Sequence, residues 1–186
     1  MNATILVDSC AYFRLAKSIH PLLKMPFGEE KHVLGVIREL NEEYKQNPSL
    51  KHKFFWVNQP DYAENRQRCF SLNPQQKSDI ANTFHFLRET ARDQRYGVSK
   101  VDLTALSYAY VLSIPIVTDD HDMLLLAGEY NIKTFTSLEL LKLLYDCRFI
   151  SMEKIRSIAA YWVYQNDTPK SYKISYTRLF KEPAPE

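Results

Sequence analysis

The chain has 186 residues, 45% of them hydrophobic and 13% aromatic, which suits one domain with a sizeable core. A net charge of +2 and a pI near 8.3 are too mild to imply a nucleic-acid partner by themselves. Three widely spaced cysteines, Cys10, Cys69 and Cys147, fit a reducing cytosol better than a disulfide framework or a zinc knuckle, and no apolar run approaches the roughly 20 residues that span a bilayer, so a cytoplasmic protein without a membrane partner is expected. The opening MNATILVDSC has no basic region and no long apolar segment, and no signal peptide is expected in it.

Ile5, Leu6 and Val7 form a short apolar run that ends in Asp8. A helix is predicted next, from Ala11 to Ile19, stopped near Pro21. The run HVLG at 32–35 reads as a strand feeding a helix in which Val36, Ile37, Leu40 and Tyr44 share one face. Residues 48–74 are irregular, aromatic and basic, and read as a partly helical insertion. Ile80, Phe84, Leu87 and Ala91 give a helical stripe over 75–95, ended by Gly97. A further helix is predicted over 101–112. Ile114, Ile116 and Val117 follow as a buried strand with Pro115 near its start. Another helix runs to Tyr130, a short strand covers 133–135, and a helix opens at Ser137 and reaches about Tyr145. A last helix is predicted over 152–165, before a polar, Pro-containing tail. Alternating strands and helices imply an α/β domain with a mostly parallel sheet.

The four glycines, Gly28, Gly35, Gly97 and Gly128, lie too far apart for a P-loop or a GxGxxG loop, and the five histidines contain no HExxH. The chemistry therefore rests on acids. In parallel sheets, ligands sit beyond the carboxyl ends of the strands. Asp8 follows the first strand, and Asp119, Asp120 and Asp122 follow a later one in IPIVTDDHDMLLLAGEY. Glu39 and Asp102, each on a helix, could join them. Each acid also has a plain structural role open to it. Asp8 could cap a helix; Ser99-Lys-Val-Asp102 matches a capping box; Glu39 could sit on a solvated face beside Glu42 and Glu43; Asp120 and Asp122 favour a helix N-terminus. Convergence of all of them would leave like charges unpaired, since residues 114–130 contain no basic residue. A divalent cation would resolve that repulsion, and oxygen donors suit Mg²⁺ or Mn²⁺ rather than zinc.

The series ILVDSCAYF, VIREL, SKVDLTALSYA and IVTDDHDMLLLA resembles the PIN-domain nucleases, in their toxin and ribonuclease branch, over roughly residues 3–145. The resemblance places Asp8, Glu39, Asp102 and Asp120 at the four acidic positions, with Asp122 accessory and Glu43 a rival to Glu39. Ser9 and Thr118 match the small hydroxyl residues beside the first and last acids, and Asp119 stands where the family commonly has Asn. What it implies is a three-layer α/β/α sandwich, Rossmann-like, with the first and fourth strands adjacent. The nuclease domain it implies would cover 1–150; the insertion near 48–74 and the C-terminal helix and tail over 151–186, packed on that domain or extending from it, exceed the compact toxins of the family. The implied activity is hydrolysis of phosphodiesters in single-stranded or structured RNA with Mg²⁺ or Mn²⁺ held by Asp8, Asp102, Asp120 and Asp122. An antitoxin protein and a second copy of the chain are the candidate partners.

On the substrate side, Arg88, Arg92 and Arg95 lie at i, i+4, i+7, with Lys100 just before Asp102, a stripe that suits a phosphate backbone or, equally, a solvated face pairing with Glu89 and Asp93. KHKFFWV at 51–57 mixes bases with aromatics, as either a stacking surface or a small core would. His121 is a candidate proton donor, set against a simply solvated ring. Two other classes compete. A haloacid-dehalogenase-like phosphohydrolase would need D-x-D where Asp8-Ser9-Cys10 stands. A PIN-like module that binds RNA or protein without cutting would not need all four acids.

Overall fold

The computed structural model describes residues 4–19, 22–23, 25–66 and 70–186; Pro21 and Cys69 lie outside these. Four short strands, β1 (Thr4–Val7), β2 (Val33–Gly35), β3 (Ile116–Val117) and β4 (Thr134–Phe135), form one sheet of order β2-β1-β3-β4. Every pairing is parallel, with Ile5 opposite Leu34, Val7 opposite Val117, and Val117 opposite Phe135. The strand beside β1 is thus the third in the chain, not the fourth, which takes the edge beyond it. Pro115 sits just ahead of β3, where its missing N–H is not needed and its carbonyl accepts from Leu6 N at 2.9 Å.

Strand alternation sends side chains to two cores. Ile5, Val7, Leu34 and Val117 pack on one face against α1 (Ser9–Ile19), α8 (Ser137–Asp146) and α9 (Met152–Tyr164). Leu6 and Ile116 pack on the other face against α5 (Pro74–Gln94), α6 (Lys100–Leu112) and α7 (His121–Glu129). The result is a three-layer α/β/α sandwich with an all-parallel sheet.

The helix expected from Val36 onward begins only at Glu39, as α2 (Glu39–Gln46). Val36 and Ile37 are buried, but in opposite cores, the period-2 signature of a chain still leaving a strand. The segment after α2 forms α3 (Pro48–Lys53), a 3-10 turn (Phe55–Asn58) and α4 (Pro60–Asn65). Its aromatics are mostly core: Trp56 is buried, and Phe54 stacks on Phe13 at 4.9 Å, leaving Phe55 as the exposed ring. Buried Arg66 pins the segment down, donating to Tyr12 Oη at 3.0 Å, Asn41 Oδ1 at 3.0 Å and Val57 O at 2.7 Å. Beyond α9, the chain expected to be a tail forms α10 (Tyr172–Phe180), with Tyr172 and Tyr176 buried one turn apart in the same core as α1 and α8. Among the described residues no helix is long and apolar enough to cross a membrane.

Candidate functional site

The strand order reverses between β1 and β3, and there the two strands end side by side. Asp8 N donates to Val117 O at 3.1 Å and Thr118 N to Phe135 O at 2.9 Å, so the ladder carries both residues to the carboxyl edge. Asp8 is 2% exposed. Its Oδ1 accepts from Ala11 N at 2.6 Å, capping α1, while its Oδ2 is buried without a partner. Burial, helped by the charges of Asp102 and Asp119, pushes this carboxyl up to about 7 from an ordinary 3.8; the Thr118 hydroxyl and the Ala11 amide work against the shift.

Asp102 occupies the third position of α6 and does form the capping box: Ser99 N donates to its Oδ2 and its own N–H to Ser99 Oγ, both at 3.2 Å. With that capping role, Asp102 still lies within electrostatic reach of Asp8. Burial raises its pKa first, Glu43 and Asp120 add to the rise, and the Ser99 hydrogen bonds oppose it. Asp120 caps α7, accepting from Met123 N at 2.8 Å, and is itself held by the Thr118 hydroxyl, which accepts from Asp120 N at 3.1 Å. One turn apart on α2, Glu39 and Glu43 each keep an Oε2 buried without a partner, and Glu43 is the one whose charge reaches Asp102 and Cys10. Ser9 Oγ is likewise buried and unpartnered. Cys10 retains an accessible surface, but desolvation and then the charges of Asp8, Asp102 and Glu43 push its thiol up to about 12.

Two of the acids are occupied elsewhere. Asp122 Oδ2 accepts from Gly97 N at 2.7 Å, tying α7 to the loop ahead of α6. A side chain at Gly97 would bring its Cβ to 3.2 Å from that oxygen. Asp119 is paired with Arg14 of α1 and accepts from Ser137, from the backbone N at 3.0 Å and from the hydroxyl. The expectation that nothing basic neutralises the 114–130 acids is therefore corrected: the cation comes from α1, 105 positions away in sequence. Its only local trace is a single arginine between the apolar positions Tyr12, Phe13 and Leu15.

The basic stripe lies exposed along α5. Arg92 pairs with Glu89 at 2.9 Å and Arg88 reaches the same carboxylate at 3.6 Å, while Arg95 ends the helix in a left-handed conformation at φ 60°. Lys100 opens α6 two residues ahead of Asp102. His121 is exposed at the start of α7.

A hard divalent cation suits what is present. The available donors are carboxylates and hydroxyls, three carboxylate oxygens, of Asp8, Glu39 and Glu43, are buried with nothing to satisfy them, and like-charged neighbours raise the energy of ionised Asp8. Among the described residues no three His, Cys, Asp or Glu side chains stand close enough to ligate one ion.

No family model matches the chain and no curated protein matches its sequence. Among solved structures it is similar to the crystal structure of FitAcB from Neisseria gonorrhoeae, at 13% identity and a TM-score of 0.47, over 72% of this chain and 97% of that one. At that level the likeness says nothing about chemistry.

Proposed function

We propose that the chain is a divalent-cation-dependent endoribonuclease that hydrolyses phosphodiester bonds in single-stranded or structured RNA. The supporting observation is the Asp8 carboxylate, buried at the switch point with one oxygen unpartnered and within electrostatic reach of Asp102. Asp8, Asp102 and Asp120 would hold Mg²⁺ or Mn²⁺, with Glu43 and Glu39 behind them. The bound ion would polarise a phosphoryl oxygen and lower the pKa of a water. The chain's own groups prepare that chemistry. The Asp8 carboxyl, titrating near 7, would give up its proton as a cation arrives. The Thr118 hydroxyl, beside Asp8 and accepting from Asp120 N, fixes the turn between two of the acids. Ser99 sets the orientation of Asp102. Because the acids repel a phosphate backbone, Lys100 and the stripe of Arg88, Arg92 and Arg95 would draw RNA to the cleft. In this reading the biological role is that of a toxin restrained by an antitoxin, or a related defence effector, and its support is the motif resemblance alone.

One observation favours a second reading, a module that binds RNA or a protein without cutting: no three ligating side chains stand ready for an ion among the described residues. Incubating the protein with end-labelled single-stranded and hairpin RNA, with Mg²⁺, Mn²⁺ or excess EDTA, separates the two. Nuclease activity predicts ion-dependent cleavage leaving 5′-phosphate and 3′-hydroxyl ends. Cleavage in excess chelator overturns the cation assignment, and RNA bound but intact with both ions supports the second reading.

A further inference from the structure

The acid turn after β3 is fastened to the C-terminal part of the chain through one side chain. Arg14 pairs with Asp119 on one side. On the other, its Nε donates to Asp167 O at 3.1 Å and its Nη2 lies 3.4 Å from Asp167 Oδ1. Asp167 follows α9, and Lys53 of α3 also reaches its carboxylate, at 3.6 Å. Trp162 of α9 completes the hold, its Nε1 donating to Arg14 O at 3.1 Å while its ring lies 5.9 Å from the guanidinium carbon. Both charged side chains of the central pair are largely desolvated, with 11% of Arg14 and 7% of Asp119 exposed. Charge-assisted bonds in such a setting are strong and directional. Asp119 in turn fixes Ser137 at the head of α8, and its chain neighbours are Thr118, whose hydroxyl lies beside the Asp8 carboxyl, and Asp120, whose N–H donates to that hydroxyl.

We infer that Arg14 is a positioning residue, which, by bridging Asp119 to Asp167, holds the Thr118–Asp120 turn in place beside Asp8 and ties α9 and the Asp167 loop to that turn. The effect on cation binding rests on the nuclease reading above; the effect on the turn does not. A groups-in-series arrangement follows: removing Arg14 strands a buried Asp119, and the turn relaxes to hydrate it.

The test compares wild type with Arg14→Met, Arg14→Lys, Asp167→Ala and the double variant Arg14→Met/Asp119→Asn. Two readouts are taken on the full chain: amide hydrogen exchange at residues 118–123 and 137, and affinity for Mn²⁺ alone. Exchange in the turn should rise about tenfold in Arg14→Met, and less in Asp167→Ala, while β1 and α5 stay protected. Mn²⁺ affinity should fall about tenfold in Arg14→Met, the usual scale for losing an outer partner of a ligand. Arg14→Lys should recover part of both effects. The double variant should exchange more slowly than Arg14→Met, because no stranded charge remains. Should Arg14→Met not fold, Asp167→Ala carries the same comparison. Unchanged exchange in the turn overturns the inference, as does exchange raised evenly across the whole fold. Wild type that binds no Mn²⁺ defeats the nuclease reading instead, and the exchange data still decide the role of Arg14.

Discussion

Asp8 and Asp119 sit at the ends of neighbouring strands, Asp8 buried and the Asp119 side chain 7% exposed, and the protein treats them in opposite ways. Asp119 is saturated, with a guanidinium from α1 and two donors from Ser137. Asp8 receives one amide and keeps its second oxygen buried and unpartnered. A buried carboxylate with a full set of partners is scaffold, and the strength of its pairing says nothing about catalysis. A buried carboxylate left short, at a sheet's switch point and within electrostatic reach of Asp102, is the observation on which the proposed cation site rests. The sequence places five acids, Asp8, Asp102, Asp119, Asp120 and Asp122, in one neighbourhood; the partners sort them.

The contrast breaks most visibly with pH. In EDTA, Asp8 has a folded pKa near 7 against 3.8 when unfolded. A raised carboxyl pKa means that the folded state binds more protons between those values. Stability from this group is therefore full below about pH 4 and is lost as pH rises to about 7, by at most about 4 kcal/mol at 1.36 kcal/mol per pH unit. Urea melts from pH 4 to pH 8 should show that decline in wild type and a flatter profile in Asp8→Asn. Equal slopes would place the Asp8 carboxyl in an ordinary, solvated environment.

The next effect is on turnover. Asp8→Asn and Asp120→Asn should each lower ion-dependent RNA cleavage by at least about 10²-fold, the scale of losing one electrostatic contact to the transition state. Asn caps a helix about as well as Asp, so α1 and α7 should persist, and circular dichroism would verify that the loss is chemical. Full activity in both variants would reduce these acids to caps.

The smallest effect sharpens the substrate side. Changing Arg88, Arg92 and Arg95 to Ala should flatten the salt dependence of RNA binding by up to about 2 log units per log unit of salt, taking about 0.7 per phosphate contact. An unchanged slope would leave the stripe as the solvated face that the pairing of Arg88 and Arg92 with Glu89 already describes.

Much of the fold could be read locally. The strands showed as apolar runs ending in Asp8 or in Thr118-Asp119, and Ser99 with Asp102 marked the head of α6. What escaped was long-range or ambiguous. Val36 and Ile37 fit a helical face as well as a strand exit, and only their division between two cores settles which. The segment holding α10 was flanked by Pro169 and by prolines near the end, which outweighed the i, i+4 pair of Tyr172 and Tyr176. Around the candidate site, the capping roles open to Asp8, Asp102 and Asp120 at the heads of α1, α6 and α7 were legible. The anchoring of Asp119 by Arg14 and of Asp122 by Gly97 was not, because a partner distant in sequence leaves no periodic trace.

The most direct measurement is the melting temperature of wild type, Asp8→Asn and Asp119→Asn, each in EDTA and in Mn²⁺. In EDTA the two substitutions should move stability in opposite directions. Asp8→Asn should melt above wild type, since it removes a buried charge with one oxygen left unpartnered; Asp119→Asn should melt below it, since it leaves Arg14 facing a neutral side chain. Mn²⁺ at a hundredfold excess over the wild-type Kd should stabilise wild type by about 2.7 kcal/mol and Asp119→Asn by about 1.4 kcal/mol, since losing the Arg14 bridge raises its Kd about tenfold, but Asp8→Asn less than either, because a ligand is gone. If both variants melt below wild type in EDTA and Mn²⁺ shifts none of the three proteins, Asp8 is a helix cap like any other and the acidic edge holds no cation.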